Sequence, residues 1–224
     1  MQTQTIRESD KQLQEAVFRH LEWEPEVVST DLHVAAKDGI VTLTGFVHTY
    51  AEKFAVEKAA KSVYGVKAVA NDIEVKPGTN RSDPEIARDV VHAMQVNVAV
   101  PDEKIKVTAR GGFLTLEGTV EWQYQRRAAE NCARNVAGVR GVTNLVEVKP
   151  KMAAVSPNEI RSRIEEALKR SAEVDARRIT VSAHDGTVNL YGNVRSWFER
   201  EEAERVAWAA PGVAQVVDHI TVVP

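Results

Sequence analysis

Asp38-Gly39-Ile40-Val41-Thr42-Leu43-Thr44-Gly45-Phe46-Val47 is written three times in this chain. It returns as Gly111-Gly112-Phe113-Leu114-Thr115-Leu116-Glu117-Gly118-Thr119-Val120, and again as Asp185-Gly186-Thr187-Val188-Asn189-Leu190-Tyr191-Gly192-Asn193-Val194. Each copy reads as a glycine turn followed by a strand, because Val41, Leu43 and Val47 alternate at period two and so share one face. Gly45 falls on that same face, where a side chain would otherwise project. A glycine inside a strand marks a bulge or the close approach of another backbone. The expected visitor is a helix of the same repeat.

The match extends outward from this stretch. Gly39, Gly112 and Gly186 correspond at spacings of 73 and 74 residues, as do Gly45, Gly118 and Gly192, and Gly65, Gly138 and Gly212. Pro77, Pro150 and Pro224 close the copies. The repeats are therefore 10–77, 82–150 and 156–224, joined by four and five residues. Ser9, Ser82 and Ser156 stand three residues before Gln12, Glu85 and Glu159, which is capping-box spacing for a helix start. Apolar residues then recur at helical spacing: Leu13, Val17 and Leu21; Ile86, Val90 and Met94; Ile160, Ile164 and Leu168. A first strand carries Leu32 and Val34, Ile105 and Val107, or Ile179 and Val181.

A second helix is expected over residues 50–63, 123–136 and 197–210. Its inward faces are small: Val56, Ala59, Ala60 and Val63; Ala129, Cys132, Ala133 and Val136; Ala203, Val206, Ala207 and Ala210. Gly65, Gly138 and Gly212 are expected at its left-handed C-terminal cap. The last strands are 69–75, 142–148 and 216–222. A helix between the second and third strands is a crossover, so those two strands run parallel. The expected fold is α+β: three tandem α-β-β-α-β units, each with two helices packed on one face of a three-stranded mixed sheet.

Composition narrows the function classes. Net charge is −3, without the basic excess of nucleic-acid binders. No run of about 18 apolar residues occurs, so no transmembrane helix is expected. Residues 1–10 lack the apolar core of a signal peptide, which points to the cytoplasm. One cysteine, Cys132, rules out an intrachain disulfide and falls among the small core residues of a helix. The six histidines form no metal-binding pattern, and no nucleophile–base pair or phosphate-cradling loop is present. Neither a cofactor, a metal nor catalysis is expected.

The pattern Asp-Gly-x-Val-x-Leu-x-Gly-x-Val, then an Ala-rich helix, then Gly-Val-x-x-Val-x-Asn/Asp-x-x-x-Val, resembles the BON domain of bacterial osmotically induced and nodulation proteins. The resemblance covers nearly the whole chain, three times over. It implies a non-catalytic protein of osmotic or envelope stress that contacts anionic phospholipid membranes. The alternatives it implies are a protein-interaction or oligomerisation scaffold, with the chain itself as one partner, and a potassium-binding sensor. It also implies a periplasmic location, against the cytoplasmic reading of the N-terminus. No fixed site residues come with the family.

The residues themselves offer one candidate surface, the start of each second helix. There Tyr50 stands in the first copy, Trp122, Tyr124, Arg126 and Arg127 in the second, and Arg195, Trp197, Phe198 and Arg200 in the third. Rings among headgroups and guanidinium groups on phosphates suit a lipid interface. Aromatic residues at this position equally suit contacts between repeats or with a partner protein. The repeats carry net charges of −3, 0 and −2, so the second and third are the better candidates for an anionic surface.

Overall fold

A computed structural model describes residues 2–28, 31–151, 155–171 and 174–223. Pro224 and the joint residues Met152, Ala153 and Ala154 lie outside them. Repeat one contains α1 (Gln2–Trp23), β1 (Leu32–Lys37), β2 (Ile40–Val47), α2 (Tyr50–Ser62) and β3 (Ala68–Val75). Repeat two contains α3 (Asp83–Gln95), β4 (Ile105–Arg110), β5 (Phe113–Val120), α4 (Gln123–Arg134) and β6 (Gly141–Val148). Repeat three contains α5 (Pro157–Arg170), β7 (Ile179–His184), β8 (Thr187–Val194), α6 (Trp197–Trp208) and β9 (Gln215–Val222).

Each repeat forms its own three-stranded sheet with the second strand in the centre. That strand runs antiparallel to the first and parallel to the third, as the crossover helix requires. Val41, Leu43 and Val47 are buried under the helices, while Ile40 and Thr44 of the same strand face solvent. The apolar stripes Val17 and Leu21, Ile86, Val90 and Met94, and Ile160, Ile164 and Leu168 close three separate cores. The hairpin turns need positive φ at two successive residues, Asp38 and Gly39 (54° and 82°) or Gly111 and Gly112 (60° and 80°). Asp-Gly and Gly-Gly adopt that geometry at little cost.

Three expectations are corrected. The visitor to Gly45 is not a helix. A Cβ there would lie 1.9 Å from the carbonyl oxygen of Asp31, where the chain enters β1. The same holds for Gly118 and Lys104 (2.1 Å) and for Gly192 and Arg178 (1.9 Å). Backbone meets backbone in all three copies, and φ is +117°, +147° and +136°. The helix approaches a different glycine, since Gly138 and Gly212 face Ile86 and Ile160 of the first-helix stripe. Second, Gly65, Gly138 and Gly212 lie two or three residues beyond the helix caps Val63, Asn135 and Ala209, in the turn toward the last strand. Third, α1 begins at Gln2, so Ser9 lies inside the helix and caps nothing. No glycine or proline precedes Ser9 to stop the helix, and a cap works only where the chain before it is non-helical. At the other two starts the signal holds. Ser82 N and Oγ both donate to Glu85, at 2.9 and 2.6 Å, and Glu159 N donates to Ser156 Oγ.

Two polar devices recur, one in the first two units and one in all three. Asp83 accepts from Gly111 N and Gly112 N at 2.8 and 2.9 Å, stapling the helix start to the hairpin turn. Asp10 does the same for Asp38 N, whereas repeat three has Pro157 at this position. The hydrogen bonds from Gly112 and Gly111 hold the Asp83 carboxyl below the usual carboxylate range. A folded pKa below the unfolded one means that the staple's contribution is complete above about pH 4. It is lost as pH falls through the lowered value. In an acid titration followed by NMR, the Gly111 and Gly112 amide signals should move together at a midpoint below that of ordinary aspartates. Asp83→Asn should abolish that midpoint, and the hairpin of repeat three should show none.

The other device caps the free edge of the last strand. Asn71, Asn144 and Asp218 each accept from the N–H two residues on, in Ile73, Val146 and Ile220. Lys53 Nζ donates to Ile73 O at 2.7 Å and Arg126 to Asn144 O at 3.1 Å. An open strand edge invites pairing with another chain. These side chains occupy the groups that such pairing would use.

Candidate functional site at the second-helix starts

The starts of α2, α4 and α6 share one construction. Thr49 Oγ1 accepts from Glu52 N at 3.0 Å and Ser196 Oγ from Glu199 N at 3.2 Å. The residue three positions into the helix reaches back. Glu52 accepts from His48 N and Val28 N, Gln125 from Glu121 N and Trp122 N, and Glu199 from Arg195 N. Glu52 is 6% exposed, the one buried charged residue among those described. Its carboxylate ties the end of the α1–β1 connection to the start of α2. Glu52→Ala should cost about 1–3 kcal/mol, because two N–H groups lose their acceptor. A urea melt of the full chain would show this, and Glu52→Gln should cost less. The spelling Thr49-x-x-Glu52 and Ser196-x-x-Glu199 carried this signal in the sequence, although the site reading did not use it.

The nine candidate contact residues fall into two groups. Tyr50 is half-buried and packs against the core of repeat two, while Trp197 packs against the cores of repeats one and three. The Arg200 guanidinium lies 4.8 Å from the Trp197 ring centre and 2.6 Å from Asp218. Arg126 holds the edge of β6, and Trp122 is half-buried at the cap of α4. Tyr124 and Phe198, by contrast, are 58% and 56% exposed, and Arg127 and Arg195 beside them are exposed as well. Successive positions thus serve different purposes: one residue ties repeats together, and the next faces solvent.

Trp208 of α6 also packs on the core of repeat two, so the three second helices converge. Between them lies a groove of about 610 Å³ whose lining includes Phe54, Lys58 and Lys61 of α2, Arg126, Arg127 and Arg134 of α4, and Glu204 of α6. Arg134 stacks on Phe54 with its guanidinium carbon 3.3 Å from the ring centre, a contact between repeats. Lys61 lies 5.3 Å from the Trp197 ring centre, tying α2 to α6. Burial pushes the Glu57 carboxyl up, but hydrogen bonds from Lys61 and Asn71 and the Lys61 and Lys53 charges outweigh it, leaving it below the usual range. The groove was not legible in the sequence, because apart from Glu57, Glu130 and Glu204 its residues differ from copy to copy.

Residues 9–77, 82–150 and 156–224 each match the BON domain. The chain belongs to the BON domain family. The three BON domains coincide with the three sheets, and the repeated glycines supply their hairpin turns and strand crossings. Over 129 residues the chain is 33% identical to osmotically-inducible protein Y of Escherichia coli (strain K12). That match takes in 55% of this chain and 64% of the relative, so the chain spans under two thirds of the relative's length. Two structures of CdsD, a structural protein of the type III secretion system of Chlamydia trachomatis, are also similar. They cover 94% of this chain and 91% and 96% of theirs, at 14% and 13% identity and TM-scores of 0.27 and 0.28. Similarity that low carries no argument. Among the described residues no helix is long and apolar enough to cross a membrane, and no group of three or more His, Cys, Asp or Glu side chains is placed to hold a metal.

Proposed function

We propose that this protein is a non-catalytic binding protein that attaches peripherally to anionic phospholipid surfaces through the second-helix starts of repeats two and three. The observation that carries the reading is the pairing of exposed rings with exposed guanidinium groups, Tyr124 with Arg127 and Phe198 with Arg195. Rings of this kind settle at the level of the headgroups while the cations meet phosphate. An osmotic-stress setting is supported by the name of the Escherichia coli relative, an osmotically-inducible protein.

Flotation with phosphatidylglycerol and phosphatidylcholine vesicles tests it. The protein should float with the anionic vesicles at low ionic strength and be released near 1 M salt, where charges are screened within about 3 Å. Tyr124→Ser with Phe198→Ser should weaken flotation tenfold or more, since burying one large apolar side chain is worth about 1.5–3 kcal/mol. Failure to bind either lipid at low salt would end this reading.

A second reading, a protein partner, is favoured by one observation. The groove between α1 and β1, lined by Phe18, Leu32 and Val34, leaves Phe18 45% exposed beside an uncapped strand edge. Pull-down with Phe18→Ser as the control separates the two.

A further inference from the structure

We propose that the groove enclosed by α2, α4 and α6 is a binding site for a multivalent oxyanion of the phosphate class, shared by all three repeats. This goes beyond the lipid reading and shares only Arg127 with it. Charge is the first reason. The carboxylates of the groove are largely committed: Glu57 to Lys61 and Asn71, Glu130 to Arg134 and Asn144, and Glu204 to the Trp208 indole N–H at 3.1 Å. Lys58, Arg126 and Arg127 face the same space with no carboxylate partner among the described residues. Glu201 and Glu204 offset them in part, since the indole N–H leaves the Glu204 charge in place, and one positive charge remains in excess.

Unmet hydrogen bonds are the second reason, and they are independent of the charges. Among the described residues, three buried side-chain polar atoms have no partner, and all three belong to this junction: Gln123 Oε1, Arg134 Nε and Trp197 Nε1. Gln123 and Arg134 line the groove itself, and Trp197 lies under Lys61 of the lining. Two of the three atoms are N–H donors, and rotating the Gln123 amide would present a third. Buried donors without acceptors are costly to leave, so their collection at one cationic groove points to an acceptor-rich occupant. The third reason is rigidity. Arg134 is fixed by its stack on Phe54 and by Glu130 at 3.2 Å, so its free N–H is held in place before any ligand arrives. Three cations with fixed donors suit a di- or triphosphate better than a monovalent anion.

An occupant at this junction would touch helices from more than one repeat and so hold the repeats together. Ligand binding to the folded state alone raises apparent stability with the logarithm of ligand concentration above Kd. The test is a thermal melt and titration calorimetry of the full chain with inorganic tripolyphosphate, against sodium chloride at matched ionic strength. A melting midpoint that climbs with tripolyphosphate concentration and a saturable calorimetric isotherm, both absent with chloride, are expected. Lys58→Glu, at an exposed position, should weaken binding at least tenfold. Arg134→Lys, which keeps the charge but removes the Nε donor, should weaken it as well. Equal shifts with tripolyphosphate and chloride, or unchanged binding in Lys58→Glu, would overturn the proposal. Phe198→Ser, which removes only the lipid contact, should bind tripolyphosphate like the parent protein, and loss of that binding would count against a separate site. Vesicle flotation of Lys58→Glu, which lies outside the lipid contact, identifies the source of the phosphate. Lost flotation assigns the groove to a lipid headgroup, and retained flotation assigns it to a soluble phosphorylated molecule.

Discussion

Gly118→Ala will abolish the native fold of repeat two. The new methyl carbon would stand 2.1 Å from the Lys104 carbonyl oxygen, and φ at this position is +147°. A backbone in that region costs a residue with a side chain roughly 1–3 kcal/mol before any clash. The clash is with main chain, so no side chain can swing away, and β4 would have to leave its register with β5. The total should exceed about 4 kcal/mol, the range reserved for severe mechanisms. A unit of this size holds only a few kcal/mol of stability in all. Gly111→Ala is the control. It also has positive φ, but its added carbon would meet nothing within 4 Å, so it should cost about 1 kcal/mol. Two-dimensional amide NMR reads the difference: Gly118→Ala should collapse the dispersed signals of residues 82–150, and Gly111→Ala should keep them.

Leu116→Ala should destabilise repeat two by about 2–5 kcal/mol, the range for emptying a fully buried leucine site. Leu116 is 0% exposed in the centre of the middle strand, beneath both helices. The aligned leucines, Leu43 and Leu190, occupy the same place in cores that share no buried residue with this one. The loss should therefore appear first in the amides of repeat two, by hydrogen exchange. Repeats one and three should respond only through their contacts with repeat two, such as Tyr50, Trp208 and the Arg134–Phe54 stack. Equal loss of protection across all three repeats would show that the chain unfolds as one body.

These two sites show how far the sequence can be read. Leu116 follows from period two and from its repetition, and both signals are local. Gly118 is visible as a glycine out of place in a strand, but the group that excludes a side chain comes from residue 104, where the chain enters the neighbouring strand. Spacing along the chain does not show which backbone arrives there. The α1 start was misplaced for a similar reason: Ser9 has the residue type of a cap, and only the conformation of the residues before it decides whether it acts as one. The contacts between repeats were hidden for a different reason. Tyr50, Gln123 and Trp197 are aligned but chemically unlike, so repetition, which exposed everything else, carried no signal there. Arg134 on Phe54 joins residues 80 positions apart in different repeats. The exposed pair at Tyr124 and Phe198 was legible as composition, but its separation from the buried Tyr50 and Trp197 was not.

The function proposed here rests on which face of the protein meets an anionic bilayer. An NMR titration of the full chain with phosphatidylglycerol nanodiscs, matched against phosphatidylcholine nanodiscs, tests that most directly. Signals of Tyr124, Arg127, Arg195 and Phe198 should shift or broaden first with the anionic discs and stay fixed with the neutral ones. Shifts centred on Phe18 and the α1–β1 groove, with the second-helix starts unmoved, would contradict the account.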